Sequence, residues 1–345
     1  MSEIQPDLNF PIREAREIVK DLMVPNTLIY WADFLFHVFL GWGAFVLTLL
    51  PSPFSYYPFV FFIVSSLALF RAAIFIHELT HLKKDSFKVF RIVWNVLCGF
   101  PLMIPSFLYQ GIHNDHHKRN RYGTEEDGEY FPFVKEGRCK IILFVIFSFL
   151  VPVIFFIRFI FLTPLSYLNT KFRSWVLEKV SSFCIDLSYR RTRASLATVP
   201  MWQVQEAITC LYGWAFIVLV SMGILSIEVL ILWYLVTATV FLLNSLRTLA
   251  AHRYRHFGHK TLDFSEQLLD SVNIPENLLA ILWAPVGLRF HATHHLIPEI
   301  PYHSLGKAHR RILQEFSMKD LYDRTECRGL GAALGSLWRE AGPLP

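Results

Sequence analysis

The chain carries little charge for its length. Asp, Glu, Lys and Arg make up 18% of its 345 residues, and the formal net charge is +5. Basic residues placed between apolar stretches do not form the basic groove that nucleic-acid binding requires, so we exclude a nucleic-acid partner. The cysteines are also few: there are five, without a Cys-x-x-Cys pair. Neither a disulfide framework nor a thiolate metal site is indicated.

The first 24 residues lack the pattern of a cleaved signal peptide. They are polar and of mixed charge, instead of basic and then apolar. Apolar residues, in contrast, are abundant at 53%, with 32 Phe and 9 Trp. They occur in runs of about 20 residues, the length that crosses roughly 30 Å of hydrocarbon as a helix. The sequence therefore predicts an all-α, multi-pass integral membrane protein.

The apolar runs and the basic residues between them predict a topology. We expect about four spanning helices in two hairpins: residues 27–50, 57–75, 207–224 and 229–250. The short connector inside each hairpin carries no Lys or Arg, whereas the segments 82–140 and 169–194 are rich in both. Basic loops stay in the cytoplasm, so the connectors should face outside.

A fifth apolar run, residues 141–163, lies between the two basic segments. It should enter the membrane and return, or lie flat, because Pro152 breaks helices and Arg158 is costly at the bilayer centre. A simple fifth span is the alternative. The stretches 87–109 and 274–290 are interrupted by Pro and Gly, which favours interfacial or re-entrant helices.

This organisation divides the chain into three parts. Residues 1–26 should form a cytoplasmic N-terminal segment, and residues 27–311 a membrane domain that carries a cytoplasmic cap. Beyond Pro301 the sequence becomes polar and mixed in charge. We therefore expect residues 312–345 to form a short helical cytoplasmic tail.

Histidine is concentrated in three short windows. Of the 14 histidines, eight fall within residues 77–81, 113–117 and 291–295, where chance predicts about 0.6. A lone histidine on an apolar helix is most often a core residue, but three clusters are not explained in that way. The other residues of this type, apart from two discussed below, fit no window, and we interpret them as structural or surface residues: His37, His259, His303 and His309.

The spacing inside the windows is typical of metal ligands. Helical residues at i, i+3 and i+4 share a face, so the histidines of each window are predicted to converge. The candidate ligands are His77, His81, His113, His116, His117, His291, His294 and His295. Eight imidazoles exceed the needs of one four-coordinate zinc and suit two iron atoms that keep positions open for dioxygen. By the predicted topology, all three windows lie on the cytoplasmic side.

These windows, His-x3-His, His-x2-His-His and a late His-x2-His-His, resemble the histidine boxes of the membrane fatty acid desaturase family. The sequence from His294 to His303 also resembles that family's usual continuation, and the likeness runs from about Tyr30 to Arg311. The resemblance implies a desaturase domain over residues 27–311. It also implies a di-iron centre that uses dioxygen and two electrons to place a double bond in an acyl chain, without catalytic residues beyond the metal ligands.

A ninth nitrogen ligand usually lies between the second and third boxes of that family. His252, at the end of the fourth run, is the first candidate, and His256 is the second. Asn244, two turns earlier, could hold a metal-bound water. Polar neighbours of histidine ligands often accept the second ring proton, and the candidates within the boxes are Glu78, Asn114, Asp115 and Thr293.

Several alternatives remain open. The run His77-Glu-Leu-Thr-His81 is also the signature of zinc metalloproteases, in which Glu78 would be the general base, but that reading leaves two boxes unexplained. A metal transporter would place its ligands in mid-membrane. Related di-iron hydroxylases and ketolases use the same boxes, and the outcome depends on substrate placement that no sequence supplies. The continuation after His295 favours desaturation.

The sequence limits the choice of substrate carrier and electron donor but does not identify either. The acyl chain could be carried on a lipid, on coenzyme A or on a carrier protein. The sequence holds neither a His-Pro-Gly-Gly haem element nor iron–sulfur cysteine spacing, so we expect a separate donor, a ferredoxin or small cytochrome. Two readings fit the basic residues near the boxes: a docking surface for this donor, or an ordinary basic loop that faces the membrane on the cytoplasmic side. These residues are Lys83, Lys84, Lys118, Arg119 and Arg121.

Overall fold

The computed structural model describes residues 10–51, 54, 56–83, 86–191, 200–256 and 261–342. Four of its helices are long and apolar enough to cross a membrane, and we name them spans 1 to 4: Thr27–Thr48, Tyr57–His81, Pro200–Ser221 and Ile227–Ala251. The predicted all-α fold with about four spans is confirmed. Span 1 begins where the Asn26 side chain accepts hydrogen bonds from the backbone N–H groups of Leu28 and Ile29.

Shorter helices form much of the rest of the described chain. Before the third span they are Ile12–Ile18, Lys20–Leu22, Lys88–Trp94, Asn95–Gly99, Ser106–Leu108, Ile112–His116, Phe133–Glu136, Arg138–Phe147, Val151–Ile157, Arg158–Leu162, Thr163–Ser166 and Thr170–Lys179. After the fourth span they are Phe264–Asp270, Ala280–Trp283, His291–Leu296, Tyr302–Ser304, Leu305–Glu315, Lys319–Asp323 and Leu330–Glu340. One large hydrophobic cluster joins all four spans to many of these helices, and two smaller clusters include others.

Span 2 is longer than predicted. We expected it to end at residue 75, with the first histidine box beyond it, but the helix continues to His81. The polar residues His77 and Glu78 are both buried in the protein at this end of the span. Protein contacts, instead of lipid, surround this last turn, so its polarity does not end the helix. The first box is therefore part of a spanning helix.

The apolar run at 141–163 forms a bent helix pair, Arg138–Phe147 and Val151–Ser166, with an angle of 54° between the two helices. Length and composition allow the pair to be a broken span or a re-entrant loop. Pro152 lies in the first turn of the second helix, where it has no helical hydrogen bond to break. The bend precedes this proline, and the predicted return to the cytoplasm stays a prediction.

Arg158 of the bent pair is fully buried and paired. It contacts Glu206 of span 3, and its Nη2 atom lies 2.8 Å from the Ser181 hydroxyl. Arg173 donates to both carboxylate oxygens of Glu206. A buried charge without a partner costs several kcal/mol, so this triad holds the bent pair against span 3.

A second, partly buried ion pair joins spans 1 and 2. The Nε atom of Arg71 donates to Asp33 at 2.8 Å, and His37 and Tyr302 also contact the Asp33 carboxylate, each at 2.8 Å. Polar groups inside spans usually have such partners. His37 is therefore structural, as predicted, and the residues after the third box are fastened to the first two spans.

The two stretches predicted as interfacial helices differ from each other. Lys88–Trp94 continues as a π-helical turn and is a helix as expected. Residues 274–290 are mostly non-helical, so the prediction was wrong there. The Ile274 N–H donates to the Arg289 carbonyl at 2.7 Å, and both Val286 and Gly287 have positive φ angles. The two ends of the segment are thus hydrogen-bonded to each other, and most of the residues between them do not form a helix.

The C-terminal residues belong to the main core. The expected boundary between residues 311 and 312 falls inside the helix Leu305–Glu315. Ile312, Phe316 and Tyr322 are buried in the same hydrophobic cluster as the spans. Residues of the predicted tail therefore support the membrane domain, and the three-part division itself stays a prediction.

The topology can be tested with single cysteines in a cysteine-free background. A cysteine replacing Ser226, between spans 3 and 4, should react with a membrane-impermeant maleimide applied to intact cells. A cysteine replacing Ser174 should react only after the cells are opened. Labelling at Ser174 in intact cells would contradict the return of the bent pair and restore a fifth span.

Candidate metal centre

Four elements bring nine histidines together. The first box ends span 2, the second lies on and just after the short helix Ile112–His116, and the third lies on the helix His291–Leu296. The ninth, His252, directly follows span 4. It is held in extended conformation, where the Val272 N–H donates to the Ala251 carbonyl at 2.9 Å.

These histidines form two adjoining groups that could each hold a metal ion. The five-histidine cluster consists of His77, His81, His113, His117 and His294. The four-histidine cluster consists of His116, His252, His291 and His295. Within each group the candidate ligand atoms lie within 4.8 Å of one another. The groups adjoin where the rings of His117 and His295 stack with centroids 4.4 Å apart.

The spacing had predicted that the histidines of each box converge on one point. In the second and third boxes they do not. Each box sends its i and i+4 pair to one cluster, and the remaining histidine to the other. His116 thus leaves His113 and His117, while His294 leaves His291 and His295. A helix turns by about 100° per residue, so histidines three and four apart diverge enough to reach neighbouring centres. The two boxes tie the clusters to each other.

The nitrogen positions suit a metal ion. In the five-histidine cluster, the Nε2 atom of His117 lies 3.0 Å from that of His113 and 3.0 Å from that of His294. In the four-histidine cluster, the Nε2 atom of His252 lies 2.9 Å from that of His291. Two nitrogens bound at right angles to an ion about 2.1 Å away are separated by about 3.0 Å.

Buried nitrogens without a hydrogen-bond partner support the same conclusion. They include both ring nitrogens of His77 and the Nε2 atom of His81. An unpaired buried polar atom costs free energy unless a ligand satisfies it. The imidazole set therefore fits metal ions on the grounds of composition, spacing and unsatisfied nitrogen atoms.

The charge state of the rings is also suitable. Burial, and secondarily the neighbouring rings, holds the pKa of these histidines well below its usual value: His113, His117, His252, His291, His294 and His295. Neutral imidazole is the form that binds metals. His116 differs: burial lowers its pKa, but the carboxylates of Asp127, Glu129 and Asp270 together more than offset that effect and raise it. A bound cation would replace that proton.

Carboxylates and tyrosines orient several of the rings from behind. Glu129 accepts a hydrogen bond from Nδ1 of His113 and another from Tyr109. Asp127 accepts one from Nδ1 of His116 at 2.8 Å. Such bonds fix the tautomer, so that Nε2 faces the metal.

His252 is oriented through a tyrosine. Its Nδ1 atom lies 2.8 Å from the Tyr122 hydroxyl, which in turn donates to Asp270 at 2.8 Å. Sequence reasoning missed these orienting residues, as it missed Asp127 and Glu129. The acidic run at residues 125–129 was visible after the second box, but its pairing with particular rings depends on the fold.

The structure can be compared with the four polar residues that were predicted to orient the rings. Asn114 donates to the Thr80 carbonyl, and Asp115 pairs with Lys118 and Arg121, so both point away from the clusters and the prediction was wrong for them. These two positions lie on the outer face of their helix. Glu78 lies 3.6 Å from Nδ1 of His77, beyond hydrogen-bond distance.

Glu78 and Thr293 instead hold the scaffold of the boxes. Glu78 accepts hydrogen bonds from the Tyr30 hydroxyl and the Tyr302 N–H. Thr293 lies 2.6 Å from the hydroxyl of Tyr322, which also contacts His309 at 2.8 Å. They therefore position the helices that carry the histidines.

The other candidate ligands and the remaining histidines lie outside the two clusters or outside the described residues. His256 belongs to neither cluster and packs beside Gly123. Asn244 accepts hydrogen bonds from Arg247 through its Oδ1 atom, so that oxygen is occupied. His303 accepts from the Asn26 N–H at 3.0 Å. His259 lies outside the described residues.

A cavity of about 790 Å³ opens beside the five-histidine cluster. His77, Tyr109 and Glu129 form part of its wall. The rest is largely apolar and is contributed by spans 2 and 4, the bent helix pair and residues 179–188. A volume of this size is typical of a small-molecule site. Its apolar walls suit a hydrocarbon chain.

Comparison with known proteins agrees with this arrangement. The model of the fatty acid desaturase family matches residues 54–326, so the chain belongs to that family, as the histidine boxes predicted. A ceramide hydroxylase from Caulobacter vibrioides (strain NA1000 / CB15N) is 39% identical over 328 residues, which cover 95% of this chain and 93% of the relative. No solved structure matches the chain significantly. The protein is thus a membrane oxidoreductase of this family.

The two candidates for the ninth ligand can be compared by substitution. His252→Ala should lower turnover by more than about 100-fold and release metal, because changes one shell further out already cost 10- to 100-fold. His256→Ala should keep most of the activity, since that ring joins neither cluster. Turnover and metal content of both variants are measured at equal membrane expression. Normal metal content in His252→Ala would remove that residue from the site.

Proposed function

We propose that this protein is a membrane-bound lipid hydroxylase that acts on ceramide through a di-iron centre. The observation that carries the proposal is the pair of histidine clusters beside an apolar cavity. Nine imidazoles in two groups suit two iron ions, and the cavity suits the hydrocarbon part of a lipid. The similarity to a ceramide hydroxylase along nearly the whole chain supports the choice of substrate and reaction.

Hydroxylation replaces desaturation as the favoured outcome. The expectation of a double bond depended on the sequence between His294 and His303, which resembles the desaturase continuation. In the fold, that sequence includes Tyr302, which binds Asp33 and Glu78. Its role there is to fasten the third box to spans 1 and 2, and a structural role of this kind would serve either reaction.

The reaction takes one C–H bond of the lipid, dioxygen, two electrons and two protons, and gives an alcohol and water. Two bound iron ions would supply the activation of dioxygen. The nine clustered histidines would be the ligands. Glu129 and Asp127 would hold His113 and His116 in the metal-binding tautomer. The cavity would exclude water and orient the chain.

The proposed site faces the cytoplasm, where a separate electron donor reaches it. The basic residues that surround the boxes in sequence support this location, because basic loops stay in the cytoplasm. Lys83 and Arg119 would contact an acidic ferredoxin or small cytochrome. Lys118 and Arg121 are already paired with Asp115, and Lys84 lies outside the described residues.

A zinc protease receives no support from Glu78. The carboxylate that would act as general base is buried, and Tyr30 and Tyr302 already donate hydrogen bonds to it. In addition, His77 and His81 share their cluster with three histidines from the other boxes. A single zinc bound by the first box would not use them.

The proposal is tested by expression in a host that makes ceramide without hydroxylating it. Lipid extracts should contain ceramide increased in mass by one oxygen atom, and growth under ¹⁸O₂ should label that oxygen. The matched control is His294→Ala, which removes one ligand and should give no such product. Ceramide lighter by two hydrogens would contradict hydroxylation and restore the desaturase, and unchanged ceramide with another oxidised lipid would contradict the substrate.

A further inference from the structure

Arg247 is a cation inside span 4 that makes no ion pair with the described residues, although the Glu129 carboxylate on the same cavity wall attracts it at longer range. It lies near the end of span 4, five residues before His252, and its side chain lines the cavity beside the histidines. Across the described part of the chain, its side-chain hydrogen bonds go to Asn244 and Thr248, and it has no carboxylate partner. An unpaired charge inside a span usually faces a cavity and marks a functional site.

Only part of the Arg247 guanidinium group is used in hydrogen bonds. The Nε and Nη2 atoms of Arg247 donate to Oδ1 of Asn244 at 3.2 and 3.1 Å, which uses both lone pairs of that oxygen. Nη2 also donates to the Thr248 hydroxyl at 2.8 Å. Among the described residues, the Nη1 atom of Arg247 and the Nδ2 atom of Asn244 have no hydrogen-bond partner, and each carries two N–H bonds.

Arg247 and Asn244 therefore form a patch that can only donate. A patch of this kind binds an oxygen with free lone pairs, such as a carbonyl or carboxylate oxygen. The cavity wall around it includes Phe70, Ile74 and Phe241, which suit a hydrocarbon chain. A ligand with one acceptor oxygen attached to a long chain thus matches the site.

We propose that Arg247 and Asn244 bind the amide carbonyl oxygen of the ceramide. The choice of an amide rests on the proposed function. Because His77 lines the same cavity, fixing the carbonyl fixes which carbon of the chain comes to the metal centre. Arg247 is in this view a specificity-determining residue that sets the register of the substrate.

The test compares two ligands, ceramide and a neutral analogue in which an ether linkage replaces the amide. Binding is measured to the purified full-length protein without an electron donor, so the products do not enter the result. The wild type should bind ceramide about 10- to 100-fold more tightly, the range expected for hydrogen bonds to a charged group. In Arg247→Leu the preference should fall to within about threefold, and binding of the ether should persist.

Two further variants keep the test decisive. Lys179→Gln removes an exposed cation at another part of the cavity wall and should leave the preference unchanged. Arg247→Lys keeps the charge and loses the planar fork, so the preference should drop at least threefold even if the leucine variant fails to fold.

The results that overturn the proposal are distinct from failure of the proposed function. Equal binding of ceramide and ether by the wild type, or an undiminished preference in Arg247→Leu or Arg247→Lys, would remove the patch from substrate binding. Tighter Arg247-dependent binding of a free fatty acid would assign the patch to a carboxylate and overturn the amide. A desaturated product in the expression assay would contradict hydroxylation and leave the binding result standing.

Discussion

Burial of many imidazole rings around two points is the constraint on which the rest of the structure depends. Rings whose Nε2 atoms lie about 3.0 Å apart have no favourable arrangement of protons that satisfies every nitrogen. Metal ions resolve this conflict, because each cation accepts several lone pairs at once. The cost of collecting the rings falls on the scaffold, which must hold four separate segments in one place.

The scaffold meets this demand with buried and partly buried charge pairs in addition to apolar packing. Asp33 and Arg71 join spans 1 and 2, and the Arg158–Glu206 pair joins the bent helix pair to span 3. Charge pairs in an apolar environment specify one register, because a shifted helix would leave a buried charge unpaired. Tyr302 adds the segment after the third box to the first of these pairs. The same residues that fix the spans therefore fix the histidines.

The sequence was sufficient for the parts of the fold that depend on composition and local spacing. The four spans and the three boxes follow from hydropathy and from histidine periodicity. His252 became a candidate only because the resemblance implies a ninth ligand, and its place at the end of a span favoured it over His256. The assignment of His116 and His294 to opposite clusters did not follow, because local spacing shows which rings share a face and not which partners lie opposite. Tertiary contacts decide that question.

The same limit applies to the residues that orient the rings and the substrate. Asn114 and Asp115 are adjacent to ligands in sequence but lie on the outer face, whereas Asp127 and Asp270 are distant in sequence and meet the rings through the fold. Arg247 was absorbed into an apolar run, where one charge does not alter the prediction of a span. Its proposed role in substrate binding depends on its place in the cavity wall and on the lack of an ion pair with the described residues.

The account is tested most directly by the metal content of the purified protein. Protein from iron-supplemented cells should contain about two iron atoms per chain by elemental analysis, and Mössbauer spectra should show high-spin non-haem iron with nitrogen and oxygen ligands, distinct from iron–sulfur clusters. Two iron atoms per chain require both histidine clusters, because one ion cannot bind all nine imidazoles of the two groups. Zinc near one atom per chain, without iron, would contradict the two-centre interpretation.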